Sequence, residues 1–267
     1  MGEVIVITSG KGGVGKTTTT ANLGTGLAQL GKKVVVIDAD IGLRNLDVVL
    51  GLENRIVYDL VDVVEGGCRL KQALIKDKRY PDLFLLPAAQ TRDKNAIKPE
   101  QMIALNNELR EIFDFVIIDC PAGIEQGFKN AIAGADKAIV VTTPEISAVR
   151  DADRIIGLLE AAELRNPTLI INRIKIDMVR RGDMMNIDDM LDILAIDLIG
   201  IIPDDSAIVI STNRGEPVVD GSRSQSHAGQ AYRNIARRLA GEEVPFMNLE
   251  QQDNFMSRLK KIFGYAK

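Results

Sequence analysis

Residues 10–17 read GKGGVGKT, between the apolar run Val4–Ile7 and a helix-like segment that begins at Lys16. The stretch satisfies the pattern GxxxxGK[ST], and a strand before it and a helix after it are the context that this pattern requires. Glycines let backbone amides turn towards phosphate oxygens, and the helix N-terminus favours the same anion. The stretch therefore predicts a phosphate-binding loop for ATP, in which Lys16 reaches the β and γ phosphates and Thr17 ligates Mg²⁺. The predicted loop contacts are Gly10, Lys11, Gly12, Gly13, Val14, Gly15, Lys16, Thr17 and Thr18.

Short apolar runs alternate with helix-like segments along most of the chain. Runs as apolar as these are typical of strands covered on both faces. The alternation predicts an α/β fold, with a mostly parallel, twisted sheet and helices on both faces. The predicted strands are 4–7, 34–37, 83–86, 116–118, 138–141, 169–171 and 198–202, and the predicted helices are 16–30, 99–112, 147–160, 187–194 and 226–239.

Composition narrows the class of protein. The 267 residues carry a formal net charge of −4, which argues against a general nucleic-acid binder, and no apolar run approaches the roughly 20 residues of a membrane span. The two cysteines form neither a CxxC nor a Cys/His cluster, so a zinc site or a disulfide framework is not indicated. The start of the chain lacks the features of a secretory signal, and we expect a cytoplasmic location.

Acidic residues follow two of the predicted strands. Asp38 and Asp40 open the stretch DADIGLRNLD (residues 38–47), and Asp119 lies within IIDCPAG (117–123). Two carboxylates separated by one residue cannot both be buried in an apolar core without partners, so we expect at least one to point towards solvent or a ligand. Ligands of parallel α/β sheets bind beyond the carboxyl ends of strands, where these residues fall. The alternative for each aspartate is helix capping or turn formation.

The second lysine of the loop, Lys11, gives KGGVGKTT, which resembles the deviant Walker A ATPases of the ParA–MinD superfamily, a SIMIBI-type P-loop group. The resemblance implies that Lys11 reaches the nucleotide of a second subunit across an ATP-bound homodimer. It also implies that Asp38 supports a Mg²⁺-bound water and that Asp40 orients the attacking water. The alternative for Lys11 is a solvated surface charge. By the same resemblance Asp119 lies near Mg²⁺ and Gly123 senses the γ phosphate through its backbone.

Two four-residue segments end later strands, IINR at 170–173 and IPDD at 202–205. By resemblance to the same superfamily, such segments hold adenine through the Asn172 side chain and through backbone near Pro203. The adenine-side residues are therefore Asn172, Arg173, Pro203 and Asp205.

Longer matches resemble the septum-site-determining members of this superfamily. They are DIGLRNLD (40–47), ENRIVYDLVDVVEG (53–66), KDKR (76–79), CPAGIE (120–125) and PEISAVRDADRIIG (144–157). The resemblance implies that the division inhibitor MinC, and a MinE-like activator or another topological factor, dock at Arg150, Asp151 and Asp153. The alternative is a solvated helix face. Flagellar-number regulators and DNA-partition ATPases are the competing branches, whereas the cysteine pattern disfavours metal-cluster carriers.

The last residues, NFMSRLKKIFGYAK (254–267), form an amphipathic pattern. On a helical wheel the apolar residues fall within an arc of about 120°. Cations around such a stripe indicate a membrane-targeting helix for anionic lipid, whereas a DNA-binding tail would need no apolar stripe. The alternative is a terminal helix packed on the core. The apolar positions are Phe255, Met256, Leu259, Ile262 and Phe263, and the cations are Arg258, Lys260 and Lys261.

The predicted organisation is an ATPase domain over residues 1–241, an acidic flexible linker over 242–253 and the helix over 254–267. The free energy gained by burying five apolar side chains nearly equals the free energy cost of ordering about ten residues. One tail alone therefore binds a membrane marginally. Two tails on one dimer act at millimolar effective concentration. We therefore expect reversible, peripheral attachment to the inner face of the cell membrane in the ATP state.

Overall fold

One eight-stranded sheet organises the chain in the computed structural model, which describes residues 1–92 and 96–248. The spatial order of the strands is β3-β4-β2-β5-β1-β6-β7-β8. The strands are β1 (Glu3–Thr8), β2 (Val34–Asp38), β3 (Ile75–Lys76), β4 (Leu83–Leu86), β5 (Phe115–Asp119), β6 (Lys137–Thr142), β7 (Thr168–Ile174) and β8 (Asp197–Pro203).

All seven predicted strands are present, and they pair in parallel. β3 was not predicted. It is two residues long and pairs antiparallel with β4 through Ile75 opposite Leu85 and Lys76 opposite Phe84. The predicted fold class is confirmed, with one short antiparallel strand added at an edge.

Helices cover both faces of the sheet. The five predicted helices are present with ends shifted by at most two residues, whereas most of the others are short and lack a long apolar period. The helices are α1 (Lys16–Gln29), α2 (Leu46–Leu50), α3 (Leu60–Val64), α4 (Leu70–Ala73), α5 (Pro99–Arg110), α6 (Gln126–Ile132), α7 (Ile146–Ala161), α8 (Ile176–Arg181), α9 (Ile187–Leu194), α10 (Ser206–Thr212) and α11 (His227–Leu239).

Two apolar cores lie on opposite sides of the sheet. Along β1, Val4 and Val6 join the core beneath α5, α6 and α7, whereas Ile5 and Ile7 join the core beneath α1 and α11. Successive side chains of a strand point to opposite faces, so a strand buried on both faces must be apolar at every position. This requirement explains the continuous apolar runs of the sequence.

The sheet brings the predicted catalytic residues to its carboxyl edge. β1 lies between β5 and β6, and the loop after β1 leads into α1. β2 pairs with β5 so that Asp38 lies opposite Asp119. The chain passes from β1 to β2 on one side of the sheet, and later from β5 to β6 on the other side. Open α/β sheets bind ligands where the strand order reverses in this way.

The beginning of the predicted flexible linker packs against the domain. The Arg238 guanidinium donates to the carbonyl oxygens of Val244 and Pro245, both at 2.9 Å, and to that of Ile199 at 2.9 Å. It also lies 4.3 Å from the centre of the Phe246 ring. Residues 244–246 of the predicted linker therefore pack against the domain, because Arg238 at the end of α11 binds the chain that follows.

The predicted tail helix, residues 254–267, and the last part of the predicted linker lie outside the described residues. Within residues 1–92 and 96–248, none of the helices has the length and hydropathy needed to cross a bilayer.

Candidate nucleotide-binding site

The loop between β1 and α1 uses glycine where other residues would not fit. Gly15, the residue before α1, has φ of 103°, a left-handed conformation that L side chains rarely adopt. A Cβ on Gly10 would overlap the backbone carbonyl of Asp151 in α7. The loop is therefore held against α7 by direct backbone contact.

Lys16 lies inside the loop rather than at its surface. Its side chain is buried, and its Nζ donates to Ser9 Oγ at 2.9 Å. Ser9 Oγ in turn donates to the Lys11 carbonyl oxygen at 2.8 Å. Ser9 was not predicted as a site residue, because a serine before a glycine-rich loop has no distinctive signal. The arrangement places an ammonium within the loop that was predicted to hold phosphate.

Lys11 differs from Lys16 in exposure. Its side chain is 42% exposed, and its Nζ lies 3.3 Å from Glu145 Oε2 and 3.2 Å from Ser147 Oγ. Both partners follow β6, at the start of α7. The contacts bring Lys11 to the carboxyl edge of the sheet beside α7.

Asp38 is buried and accepts three backbone hydrogen bonds. Oδ1 accepts from the Asp40 amide at 3.0 Å, and Oδ2 accepts from the amides of Asn45 and Leu46 at 3.0 and 3.1 Å. Leu46 begins α2, so the capping role considered for Asp38 is present in the structure. Burial raises the pKa of Asp38 to about 6 despite these donors.

Asp119 is also buried, and burial together with the nearby Asp38 carboxylate raises its pKa, while a hydrogen bond with Thr17 and the Lys16 charge act in the opposite direction. Asp119 Oδ1 has no hydrogen-bond partner in the described structure. A buried acceptor oxygen without a partner is costly unless a ligand satisfies it.

These residues fit the predicted divalent cation. Thr17, Asp38 and Asp119 offer a hydroxyl and two carboxylates, the hard oxygen donors that Mg²⁺ prefers. The described residues contain no cluster of three or more His, Cys, Asp or Glu side chains that could hold a metal by themselves. Mg²⁺ sites of this kind take few protein ligands and complete their coordination with water and phosphate.

Asp40 is half-buried at the end of β2, and its charge raises the pKa of both Asp38 and Asp119. A cavity of about 30 Å³ lies between the segment 39–41 and the segment 121–128. That volume suits one water molecule. Gly123, in the second segment, has φ of 95°.

The predicted adenine-side residues lie at the ends of β7 and β8. Asn172 is buried; its Nδ2 donates to the Val14 carbonyl at 2.7 Å, and its Oδ1 accepts from the Arg173 amide. Asp205 caps α10 through the Ala207 amide at 2.8 Å and also accepts from the Ala228 amide at 3.2 Å. The Asp205 carboxylate therefore has a structural role that the sequence pattern did not indicate.

The predicted partner-docking residues lie on α7. Arg150 and Asp153 are exposed, and Asp151 is half-buried where Gly10 approaches it. α7 therefore presents an accessible face and touches the predicted phosphate loop at the same time.

A contact between α1, the helix that follows the phosphate loop, and α11 was not predicted. Tyr232 of α11 is fully buried, and its hydroxyl lies 3.3 Å from Thr19 Oγ1 in α1. The two residues are 213 positions apart, and no local pattern relates them.

Comparison with known proteins places this site in a family. A family model described as an AAA domain matches residues 2–171. The septum site-determining protein MinD of Bacillus subtilis (strain 168) is 62% identical over 267 residues, which cover 99% of this chain and 99% of that protein.

The chain belongs to the MinD family.

Solved structures of MinD proteins agree with this assignment. The MinC:MinD cell division protein complex of Aquifex aeolicus contains a chain that is 54% identical, with a TM-score of 0.86 and coverage of 92% of this chain and 98% of that chain. The Pyrococcus horikoshii MinD complexed with Mg-ADP is 32% identical, with a TM-score of 0.81 and coverage of 90% and 96%. The predicted family and fold are confirmed by these likenesses.

Proposed function

We propose that this chain is a Mg²⁺-dependent ATPase of cell-division site selection, in which ATP controls dimerisation and dimerisation controls membrane attachment. The observation that carries the proposal is the difference between the two loop lysines. Lys16 is buried within the loop, whereas Lys11 is exposed beside α7, where its ammonium contacts Glu145 and Ser147. The burial of Lys16 supports its role at the nucleotide of its own chain, and the exposure of Lys11 supports its role at the nucleotide of a second copy.

The residues divide the work at the nucleotide. Lys16 and the loop amides bind phosphate, and Thr17, Asp38 and Asp119 hold the cation. Mg²⁺ held by these residues would neutralise the charge that develops on the phosphate oxygens. Asp40 lines the cavity of about 30 Å³, which is large enough to admit water, and Asp40 orients the attacking water. Asn172, Arg173, Pro203 and Asp205 form the adenine side, where Asn172 also holds the loop through Val14.

Membrane attachment follows from the tail. Residues 254–267 combine an apolar stripe with cations, and each tail alone binds anionic lipid weakly. A dimer brings two tails to one surface, which raises their combined affinity without any new contact. Hydrolysis at Asp40 separates the dimer and releases both tails. The protein therefore cycles between cytoplasm and the inner face of the membrane.

The partner is recruited through α7. The solved Aquifex assembly pairs MinD with MinC, and the exposed Arg150 and Asp153 provide a charged surface for the equivalent inhibitor here. Asp151 of α7 also contacts Gly10 of the phosphate loop. A protein bound to α7 can therefore affect the loop through this contact. A MinE-like activator, or another topological factor, raises a low basal ATPase rate through the same contact.

Sedimentation with vesicles of anionic phospholipid tests the proposal. We expect the full chain to sediment with ATP and Mg²⁺, to remain soluble with ADP, and to remain soluble with ATP when Lys11→Ala is introduced. Asp40→Ala should stay bound after wild-type protein has released. Equal sedimentation with ADP and with ATP would contradict the proposal that ATP controls membrane attachment.

A tail variant separates lipid binding from nucleotide binding. Lys260→Glu combined with Lys261→Glu should abolish sedimentation while ATP binding persists. Loss of both together would instead indicate a tail packed on the core. Retention on DNA rather than on vesicles would favour a DNA-partition function.

A further inference from the structure

Arg79 joins two segments that are far apart in the sequence. It lies in the turn between β3 and β4, within the KDKR stretch. One guanidinium nitrogen donates to the Leu50 carbonyl at 2.9 Å, and another donates to the Gly215 carbonyl at 3.3 Å. Leu50 is the last residue of α2, and Gly215 belongs to the loop after α10.

Two carboxylates fix the orientation of the guanidinium. Asp77 is buried, and its Oδ2 lies 3.1 Å from Arg79 Nη2. Asp220 lies 3.5 Å from Arg79 Nε and also accepts from the Tyr80 hydroxyl at 2.8 Å. Planar, multidentate contacts of this kind need arginine, since lysine cannot reproduce the geometry.

The two segments touch directly beside Arg79. A Cβ on Gly51 would approach the Gly215 carbonyl oxygen to 2.7 Å, and both glycines have positive φ, of 67° and 65°. The end of α2 therefore packs backbone against backbone on the loop after α10, and Arg79 bridges the contact.

The other end of α2 carries two of the amides that bind Asp38. The helix has only five residues and is held by charged groups at both termini. A helix this short has little stability of its own, so its position depends on such contacts. The apolar side chains of Leu46 and Leu50 are buried as well, and we expect a change in the backbone contacts at the Leu50 end to alter the position of Asn45 and Leu46.

We propose that Arg79 is a positioning residue that holds α2 against the loop after α10 and thereby keeps the Asn45 and Leu46 amides on the Asp38 carboxylate. The inference deepens the proposed function, because it rests on the proposed role of Asp38 in holding Mg²⁺. Arg79 also connects the Mg²⁺ side of the proposed site with its adenine side. The loop that Arg79 contacts follows α10, and the first turn of α10 is capped by Asp205, one of the predicted adenine-side residues.

Amide hydrogen exchange tests the positioning without reference to catalysis. In nucleotide-free protein we expect Arg79→Ala to accelerate exchange at Asn45 and Leu46 by about 10-fold or more, while core strand β1 changes little. Arg79→Lys keeps the positive charge but loses the planar guanidinium with its several N–H donors. It should show the same effect to a smaller degree. The matched control is Arg55→Ala, which removes an arginine that donates to the neighbouring Lys76 carbonyl at 2.8 Å but not to α2.

Mg²⁺ dependence supplies the second readout. The Mg²⁺ concentration that half-saturates binding of a fluorescent ADP analogue should rise by about 10-fold in Arg79→Ala, as expected when support of a metal-binding carboxylate is lost. Arg55→Ala should leave it unchanged. Asp38→Asn provides the reference for direct loss of the site.

The outcomes separate the inference from the proposed function. Unchanged exchange at Asn45 and Leu46 in both Arg79 variants would overturn the positioning role. If Arg79→Ala does not fold, Arg79→Lys decides the question in the same assays. If Asp38→Asn leaves the Mg²⁺ requirement unchanged while exchange is accelerated in Arg79→Ala, the positioning role stands and the Mg²⁺ role of Asp38 falls.

Discussion

The Lys11 ammonium lies 3.3 Å from the Glu145 carboxylate of its own chain. The two side chains are 42% and 60% exposed, and such exposed pairs contribute about 0–1 kcal/mol. The contact is therefore weak enough for Lys11 to leave it, as the proposed contact with the phosphate of a second copy requires. Glu145→Gln should shift Tm by no more than about 4 °C in a domain of this size.

Lys11→Ala should likewise keep Tm but lose the ATP-dependent dimer, measured by light scattering after gel filtration. A Lys11→Ala protein that dimerises at the same ATP concentration as wild type would contradict the role of Lys11.

Asp38→Asn should stabilise the nucleotide-free protein at neutral pH. Burial raises the pKa of Asp38 from 3.8 to about 6, so the folded state binds its proton more tightly than the unfolded state. Ionisation of buried Asp38 therefore lowers the free energy of unfolding. This loss is absent below about pH 4, grows between about pH 4 and pH 6, and is complete above about pH 6. It amounts to at most about 3 kcal/mol, and the lost backbone acceptor offsets part of it.

Urea unfolding without Mg²⁺ at pH 4 and pH 7.5 measures this difference. The control is Asp204→Asn, which removes an exposed carboxylate paired with Lys175 at 3.2 Å and should change little. Equal destabilisation by Asp38→Asn at both pH values would show that its backbone hydrogen bonds outweigh the burial of its charge.

Tyr232→Phe should weaken the contact between α11 and α1. The variant removes the buried hydroxyl that lies 3.3 Å from Thr19 Oγ1, at a cost of about 1–2 kcal/mol. Thermal unfolding of Tyr232→Phe, Thr19→Val and the double variant forms a cycle. Because the two hydroxyls are partners, the double variant should lose less than the sum of the single losses. Strict additivity would argue against the hydrogen bond.

Gly10→Ala should destabilise the protein, whereas Gly12→Ala should not. A Cβ at residue 10 overlaps the Asp151 backbone, which cannot rotate away, and such overpacking costs about 1–3 kcal/mol. A Cβ at residue 12 meets only the Ala122 Cβ at 3.7 Å, an ordinary contact. Thermal unfolding of the nucleotide-free proteins compares them. Equal Tm values for the two variants would contradict the close packing of the loop on α7.

The sheet was largely predictable because each parallel strand is buried on both faces and therefore apolar throughout. Long helices were predictable for a related reason: Pro99 begins one and Gly31, with φ of 75°, follows another. β3 carried no such signal because two residues have no period. α2 escaped prediction because Asp38, which binds its first amides, lies eight residues before Leu46 rather than at the neighbouring capping position.

The site was predictable where its residues cluster in the sequence. The loop and the strand-end aspartates follow local patterns, and the sheet brings Asp38 and Asp119 together as expected. The contacts of Arg79 with Leu50 and Gly215, and of Thr19 with Tyr232, depend on tertiary packing between distant segments. Local sequence patterns cannot report such pairs, which is why these supporting residues emerged only from the structure.

The hold of Arg238 on residues 244–246 sets a geometric limit on the proposed membrane attachment. Seven residues, 247–253, separate Phe246, the last residue of the packed segment, from the start of the tail pattern at Asn254, and a fully extended chain of that length spans about 25 Å. The tail pattern therefore starts within that distance of Phe246, which Arg238 of α11 contacts. In the proposed dimer, two tails limited in this way would keep the C-terminal ends of both α11 helices close to the bilayer surface.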